Sequence, residues 1–174
     1  MILVSYYTSS YQERAQELAK SADMVGLDHD IIELPDLGSW RENVLRKPGF
    51  LMMMLDAHHK ENILWVDADA VIHKYPDWSN LGWLGLYYNK PEEPWAGTIF
   101  LNNSDPTRGF LDRWIDFNET MEPSMDQDTL QYAVTASRIV VRRLPPAYHW
   151  VERVHRKRFP GADPIIEHFM DSRS

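Results

Sequence analysis

The sequence predicts an α/β protein, with one domain over residues 1–174 and a mostly parallel central sheet flanked by helices. Three observations predict this fold class. The first third of the chain reads as a strand, an amphipathic helix and a second strand, the pattern of a right-handed β-α-β unit. The apolar run Ile63–Val66 has the composition of a strand buried on both faces. Further β-rich runs alternate with amphipathic stretches in the second half of the chain.

The β-α-β unit can be justified from its residues. The first strand is predicted at Ile2–Tyr7, which is rich in β-forming residues. Ser10, with Glu13 three residues later, resembles a capping box at the start of a helix. The apolar stripe of that helix ends shortly before Gly26, which is the predicted stop. The second strand is expected over residues 29–34, and it pairs with the first in parallel.

The remaining elements follow from apolar periodicity and from residues that end helices and strands. In chain order they are a helix capped by Ser39 and broken near Pro48, its continuation over 49–59, the strand Ile63–Val66, strands over 84–88 and 95–101, a helix from Asp105, a short helix capped by Asp126, and a strand over 139–144. Ala96 and Gly97 leave the entry of the 95–101 strand free of large side chains. A glycine in a strand often marks close approach by a ligand.

The composition disfavours several classes of function. The formal net charge of −8 makes a general nucleic-acid-binding surface unexpected. The absence of cysteine excludes disulfides and thiol chemistry. No run of about 18 apolar residues occurs, so no transmembrane helix is predicted, and we expect a cytoplasmic protein. If an acidic protein of this kind binds an anionic ligand such as a diphosphate, it needs a metal ion or local cations to offset the charge repulsion.

The strongest functional signal is the pair Asp67 and Asp69 at the carboxyl end of the buried strand. Carboxylates there are costly to bury unless they are paired, hydrogen-bonded or bound to a cation. Ligands of open α/β sheets bind beyond the carboxyl ends of strands, and the small Ala68 lets a bulky ligand approach. A divalent cation held here would bind a diphosphate and stabilise a departing phosphate. The alternative is a solvated acid pair that caps the next turn.

Several segments, taken in order, resemble those of GT-A fold glycosyltransferases, which use nucleotide-sugar donors. The segments are YYTSSY, WRENVLRKPGF, ILWVDADAV, WAGTIFLNNSDPTRGFLDRW, DQDTLQ, RRLPPAYHW and IIEHF. They cover nearly the whole chain, and their pattern is nearest to retaining transferases of the glycogenin and lipopolysaccharide-galactosyltransferase type. The resemblance implies a single GT-A-like (Rossmann-like) domain and a hexosyltransferase with UDP-sugar as the first candidate donor. The acceptor is left open between a small molecule, a glycan and a protein, as is the oligomeric state.

The resemblance also implies a site for the metal and the donor. Asp67 and Asp69 are implied to hold Mn²⁺ or Mg²⁺, and His168 to complete the metal site. A carboxylate pair with one imidazole suits Mn²⁺ somewhat better. The residues implied to contact the base, ribose and phosphates, or to leave room for them, are Thr8, Tyr11, Asn43, Lys47, Asp67, Ala68, Asp69 and Gly97. A structural role at a helix surface or in the tail stays open as the alternative for several of these residues.

The segment DQDTLQ is implied to lie against the transferred sugar. Asp126 and Gln127 match residues that retaining relatives place near the anomeric carbon, where a carboxamide oxygen stabilises positive charge. If the reaction inverts configuration, Asp126 or Asp128 is the candidate general base. The structural alternative is an aspartate helix cap beside a surface glutamine.

The chain also departs from the pattern of these relatives. It is short for the fold, and residues 170–173 replace the Lys-Pro-Trp that often follows the tail histidine. Arg173 is a candidate for reaching the diphosphate from this tail. The relatives' glycine after the histidine is also missing. These departures weaken the tail assignment and the retaining assignment.

Three other functions compete with glycosyl transfer. A nucleotidyltransferase would show a glycine-rich basic loop after the first strand, which YYTSSY is not. A phosphatase of the haloacid-dehalogenase type would place its acid pair after the first strand. A non-catalytic module that only binds a nucleotide sugar is compatible with the sequence, and turnover in the presence of Mn²⁺ separates it from the enzyme.

Overall fold

Strands and helices alternate along the chain in the computed structural model, which describes residues 1–77 and 82–169. The strands are β1 (Ile2–Tyr7), β2 (His29–Glu33), β3 (Ile63–Val66), β4 (Ala70–Ile72), β5 (Leu84–Lys90), β6 (Glu93–Leu101), β7 (Val141–Arg143) and β8 (Ile166–His168). The helices are α1 (Gln12–Val25), α2 (Trp40–Leu45), α3 (Lys47–Ala57), α4 (Asp105–Thr120), α5 (Asp126–Ser137) and α6 (Glu152–His155). Among the described helices, none has the length and hydrophobicity that a membrane span requires. The predicted role of Arg173 concerns a residue outside the described ranges.

The central sheet has six strands in the order β2-β1-β3-β6-β5-β7. β1 pairs in parallel with β2 and β3, and β5 pairs in parallel with β7. β6 is antiparallel to both of its neighbours, so five of the six strands point the same way. The predicted mostly parallel sheet is confirmed. β5 and β6 are joined only by residues 91–92, a connection too short for a parallel crossover.

β3 is buried on both faces, as its composition predicts. Ile63 and Trp65 pack in one apolar cluster with residues of α3, α4 and α5. Leu64 and Val66 pack in a second cluster with residues of α1, β4 and β8. Helices therefore flank the sheet on both sides, and the end of β3 is fixed by packing from both faces.

Local signals in the sequence place two helix ends correctly and two incorrectly. Gly26 ends α1 in the left-handed region, with φ at 72°. Ser39 caps α2, since its hydroxyl accepts a backbone N–H of the first turn at 3.1 Å. The capping box predicted at Ser10 is wrong. Ser10 lies in a short 3₁₀ turn before α1, and its hydroxyl is 3.1 Å from that of Thr8.

The predicted cap of α5 is also displaced. Asp128, not Asp126, caps this helix, because its carboxylate accepts the backbone N–H groups of Ser124 and Met125 at 2.9 and 3.1 Å. Asp126 is the first residue of the helix. Its carboxylate is thereby available for contacts beyond α5.

Candidate active site

A cavity opens beyond the carboxyl ends of β1 and β3, where the sequence carries its acid pair. Val66 pairs with Thr98 in the antiparallel register, so the residues before Thr98 extend past the end of β3 and form one wall. Of the twelve residues in the described ranges that are predicted to bind metal, donor or sugar, eleven line this cavity and Asp128 does not. The eleven are Thr8, Tyr11, Asn43, Lys47, Asp67, Ala68, Asp69, Gly97, Asp126, Gln127 and His168.

Three potential metal ligands, Asp67, Asp69 and His168, converge in the cavity. One donor atom of each lies within 4.8 Å of the other two. Nδ1 of His168 is 4.0 Å from Oδ1 of Asp69, and these two residues are 4% and 9% exposed. Two carboxylates and one imidazole form a donor set that fits Mn²⁺ or Mg²⁺. A cation at this point would also compensate the cost of burying the acid pair.

A two-stranded sheet brings the tail histidine to the acid pair. β4 and β8 are antiparallel, with Ala70 opposite His168. The backbone N–H of Phe169 donates to the carbonyl of Asp69 at 3.1 Å, and that of His168 donates to the carbonyl of Trp150 at 2.7 Å. This sheet was not predicted from the sequence, because its strands have only three residues each.

The ring of His168 is oriented by Thr98, the residue that follows Gly97 in β6. The Thr98 hydroxyl lies 2.8 Å from Nε2 of His168, and both side chains are buried. Burial lowers the pKa of His168 to about 4, against an opposing effect of Asp67, so the ring is neutral near pH 7. With Nε2 engaged by Thr98, Nδ1 is the nitrogen that faces Asp69.

Lys47 lies at the centre of a buried polar network, in the first turn of α3. Its ammonium is 2.6 Å from Oδ2 of Asp126 and 2.9 Å from Oδ1 of Asp67. It also donates to the carbonyl of Ala96 at 3.1 Å. The indole N–H of Trp65 donates to the same Asp67 oxygen at 3.0 Å. The ammonium thus contacts three protein oxygens, through hydrogen bonds to Asp67 and Ala96 and an ion pair with Asp126.

The charges of this network depend on one another. Burial acts to lower the pKa of Lys47, but the carboxylates of Asp126 and Asp67 outweigh it and hold the pKa above its ordinary value. Burial raises the pKa of Asp126, and the neighbouring Lys47 opposes that change. Lys47 therefore stays protonated and holds Asp67 beside the other candidate metal ligands.

Three side chains of the cavity pack closely against the backbone of Gly97. A Cβ at this position would lie 2.5 Å from Cε1 of His149, 3.1 Å from Oδ2 of Asp67 and 3.1 Å from Cε1 of His168. No side chain fits there without displacing one of these groups. The glycine thus permits the close packing of two candidate metal ligands, Asp67 and His168, with a further histidine, His149.

The residues predicted for the sugar occupy different positions at the start of α5. Asp126 is 6% exposed, and its Oδ1 accepts the backbone N–H of Gln127 at 3.0 Å. Gln127 is half-buried and lines the cavity. Asp128 caps the helix and does not line the cavity.

Residues predicted for the nucleoside lie along one wall of the cavity. Thr8 is buried, and Tyr11 follows it in the 3₁₀ turn after β1. Asn43 lines the cavity, but its amide is bonded to the preceding loop. It donates to the Asp36 carboxylate at 2.7 Å and accepts the N–H of Leu37 at 3.0 Å.

Two residues that complete the site were not predicted from the sequence. Thr98 gave no signal of its own, since a threonine in a buried strand is ordinary. His149 is 5% exposed, lines the cavity and stacks on His168 with ring centroids 4.2 Å apart. It stands in the segment RRLPPAYHW, and only the fold brings that segment to the metal ligands.

Comparison by sequence gives no relative, since no family model and no curated protein matches the chain. Comparison with solved structures does give matches. The crystal structure of a glycosyltransferase involved in the glycosylation of the major capsid of PBCV-1 matches with a TM-score of 0.71 and 15% identity, over 98% of this chain and 92% of the other.

A second solved structure, the apo form of the glycosyltransferase GlyE from Streptococcus pneumoniae TIGR4, matches with a TM-score of 0.70 and 14% identity. The match covers 97% of this chain and 54% of that one, so this chain spans about half the length of GlyE in that structure. At these identities the likeness shows the fold. The predicted resemblance to GT-A glycosyltransferases is confirmed at that level.

Proposed function

We propose that this chain is a metal-dependent glycosyltransferase that takes a sugar from a nucleoside-diphosphate sugar, with UDP-sugar as the first candidate donor. The observation that carries the proposal is the convergence of Asp67, Asp69 and His168 in a cavity that most of the predicted donor-binding residues also line. The two structural neighbours, both glycosyltransferases by name, support glycosyl transfer as the reaction class.

The acid pair and His168 would hold the cation, Mn²⁺ before Mg²⁺. When bound, a divalent cation supplies positive charge to the diphosphate and to the departing nucleoside diphosphate. The chain's own part is to fix the ligands. Thr98 sets the ring of His168, and Lys47 with the indole of Trp65 sets the carboxylate of Asp67.

The contacts of Lys47 favour a role other than the predicted binding of ribose and phosphates. We infer that it serves as a buried counter-charge, since its ammonium donors go to Asp67, Asp126 and the Ala96 carbonyl rather than to open space. Its position links the metal ligand Asp67 to the start of α5, where Gln127 lies. The metal end and the sugar end of the site are therefore held by one residue.

The contacts of the three α5 residues favour retention of configuration. A general base needs a carboxylate that can take a proton from the acceptor. Asp126 is paired with Lys47, and Asp128 is committed to capping the helix. Gln127 lines the cavity and is left as the group beside the anomeric carbon, where its carboxamide oxygen would stabilise developing positive charge.

A second proposal is a module that binds a nucleotide sugar without turning it over. The contacts of Asp126 and Asp128 favour it, since they leave neither carboxylate of α5 free to act as a general base. Both proposals use the same cation site and differ only in turnover.

Turnover separates the two proposals. The chain would be incubated with UDP-glucose, UDP-galactose, UDP-N-acetylglucosamine or GDP-mannose, with Mn²⁺ or with EDTA, and release of nucleoside diphosphate measured. We expect Mn²⁺-dependent release from one donor, lost in Asp69→Asn and retained in Asp112→Asn, whose carboxylate is exposed on α4. Binding without release would favour the module. If the chain shows neither binding nor release with any of these donors, both proposals are refuted.

A further inference from the structure

His149 is a buried polar residue of the cavity to which the proposed function assigns no role. It is 5% exposed, and its Nδ1 is enclosed without a hydrogen-bond partner among the described residues. Buried polar atoms in folded proteins are nearly always paired. An unpaired imidazole in a binding cavity therefore points to a partner that arrives with the ligand.

The surrounding rings fix the plane of His149. It stacks on Tyr87, with centroids 5.6 Å apart and planes 12° apart, and on His168, at 4.2 Å and 17°. Trp95 packs against it edge to face at 5.1 Å. This packing permits only two positions for the nitrogens. A half-turn about the Cβ–Cγ bond keeps the stack and exchanges Cε1 with Nε2.

The distal edge of the ring, formed by Cε1 and Nε2, packs beside Gly97 and Asp67. The position that a Cβ would take at Gly97 is 2.5 Å from Cε1 of His149 and 3.1 Å from Oδ2 of Asp67. The half-turn would put Nε2 in the place of Cε1. In either position of the ring, Nε2 belongs to this edge of a residue that lines the cavity, so a ligand bound beside Asp67 would meet that nitrogen.

The chemistry of this wall suits a hydroxyl better than a phosphate. A neutral imidazole carries one donor and one acceptor, which match the donor and acceptor of a hydroxyl. Its neighbours Trp95 and Tyr87 are aromatic. Sugar rings pack well on aromatic side chains and offer hydroxyls that both donate and accept.

We propose that His149 hydrogen-bonds a ring hydroxyl of the transferred sugar and so helps to select it. This inference rests on the proposed function, because it places the sugar next to the cation site. It assigns to His149 the recognition of the sugar and leaves the nucleoside diphosphate to other residues.

The test compares His149→Phe with the wild type by calorimetry in the presence of Mn²⁺. Phenylalanine keeps a ring in the stack and removes both nitrogens. The probes are UDP and three UDP-sugars, those of glucose, galactose and N-acetylglucosamine. The comparison uses the sugar that the wild type binds best. For that sugar, we expect the ratio of the UDP-sugar Kd to the UDP Kd to be roughly 3- to 10-fold higher in His149→Phe than in the wild type, because the variant loses one neutral hydrogen bond. The Kd of UDP stays unchanged.

Tyr87→Phe is the matched control, since Tyr87 stacks on the opposite face of His149 and does not line the cavity. We expect it to leave the ratio unchanged. An unchanged ratio in His149→Phe overturns the inference. An equal loss of affinity for UDP and for the UDP-sugar also overturns it, and would indicate that His149 contacts the diphosphate instead. If the wild type binds none of these probes, with GDP and GDP-mannose tried in the same way, the proposed function fails first and the inference falls with it.

Discussion

The hydroxyl of Thr98 lies 2.8 Å from Nε2 of His168, and both side chains are buried. When the hydroxyl oxygen accepts the Nε2–H, the lone pair of His168 is confined to Nδ1, which faces Asp69 at 4.0 Å. Groups of this kind orient metal-binding histidines in many proteins. A threonine next to the cavity glycine would thus act on the proposed cation site without being one of its ligands.

Thr98→Val keeps the shape of the side chain and removes the acceptor. We expect the affinity for Mn²⁺ to fall by about 10- to 100-fold, because the ring of His168 loses its fixed tautomer. Titration of Mn²⁺ followed by the electron paramagnetic resonance signal of the free ion measures this. Thr98→Ser restores the hydroxyl and should bind Mn²⁺ within a few-fold of the wild type. Equal affinities for the valine variant and the wild type would remove the assigned role of Thr98.

Lys47→Met tests the buried network. The variant leaves the buried Asp126 without its cation, and we expect the free energy of unfolding to fall by about 3–5 kcal/mol. Urea denaturation at pH 7.5 measures the change. Lys74→Met is the matched control, since the Lys74–Asp163 pair is exposed and worth at most about 1 kcal/mol.

The double variant Lys47→Met with Asp126→Asn removes both charges of the pair. It should recover part of the stability that the single variant loses. Additive losses in the double variant would show that the two residues do not interact as the 2.6 Å separation indicates.

Gly97→Ala tests the close packing of cavity side chains against this glycine. The new methyl group would lie 2.5 Å from Cε1 of His149, so it must displace that ring or the neighbouring Asp67. We expect a stability loss of about 1–3 kcal/mol from overpacking, together with weaker Mn²⁺ binding. Gly109→Ala is the control, because nothing lies within 4 Å of a Cβ there. In the middle of α4 it should stabilise by roughly 0.5–1 kcal/mol. Wild-type Mn²⁺ affinity in Gly97→Ala would contradict the role assigned to this glycine.

The contacts of His155 allow us to predict how the free energy of unfolding depends on pH. Its Nδ1 accepts the backbone N–H of Val151 at 2.8 Å, and its Nε2 lies 2.7 Å from the Tyr87 hydroxyl, so the folded state needs the neutral ring. Burial lowers the pKa of His155 below 6.5, and nearby Arg158 adds to the effect. The unfolded chain therefore binds more protons than the folded chain below about pH 6.5, and stability is lost as the pH falls through that value.

His155→Asn isolates this contribution, because the amide oxygen can still accept from Val151. Between pH 7.5 and 5.5, the free energy of unfolding should fall less steeply in the variant than in the wild type. His59→Asn, at an exposed position, is expected to keep the wild-type slope. Identical slopes for the wild type and His155→Asn would contradict the prediction.

The parts of the fold that local sequence signals determine could be predicted. β1 has the predicted bounds, β3 is buried on both faces, and Gly26 and Ser39 mark helix ends as expected. The acid pair could be placed because it directly follows a buried strand. The antiparallel direction of β6 was not among the predictions, although the two-residue link from β5 indicates it.

The parts that depend on distant contacts could not be predicted. β4 and β8 are too short to be recognised from periodicity, yet they bring His168 to Asp69. The pairing of Lys47 with Asp126 joins two helices that are far apart in sequence. The positions of Thr98 and His149 follow from the same tertiary packing, and neither residue has a local pattern that distinguishes it from an ordinary core residue.

Titration calorimetry of UDP tests the central claim most directly, with Mn²⁺ and with EDTA, on the wild type and on Asp69→Asn. We predict a Kd on the order of micromolar for the wild type with Mn²⁺, and no measurable binding with EDTA or in the variant. Asp112→Asn should bind as the wild type does. Binding that does not need the metal, or no binding of UDP or GDP under either condition, would contradict the assignment of Asp67, Asp69 and His168 as the cation site of a nucleotide-sugar transferase.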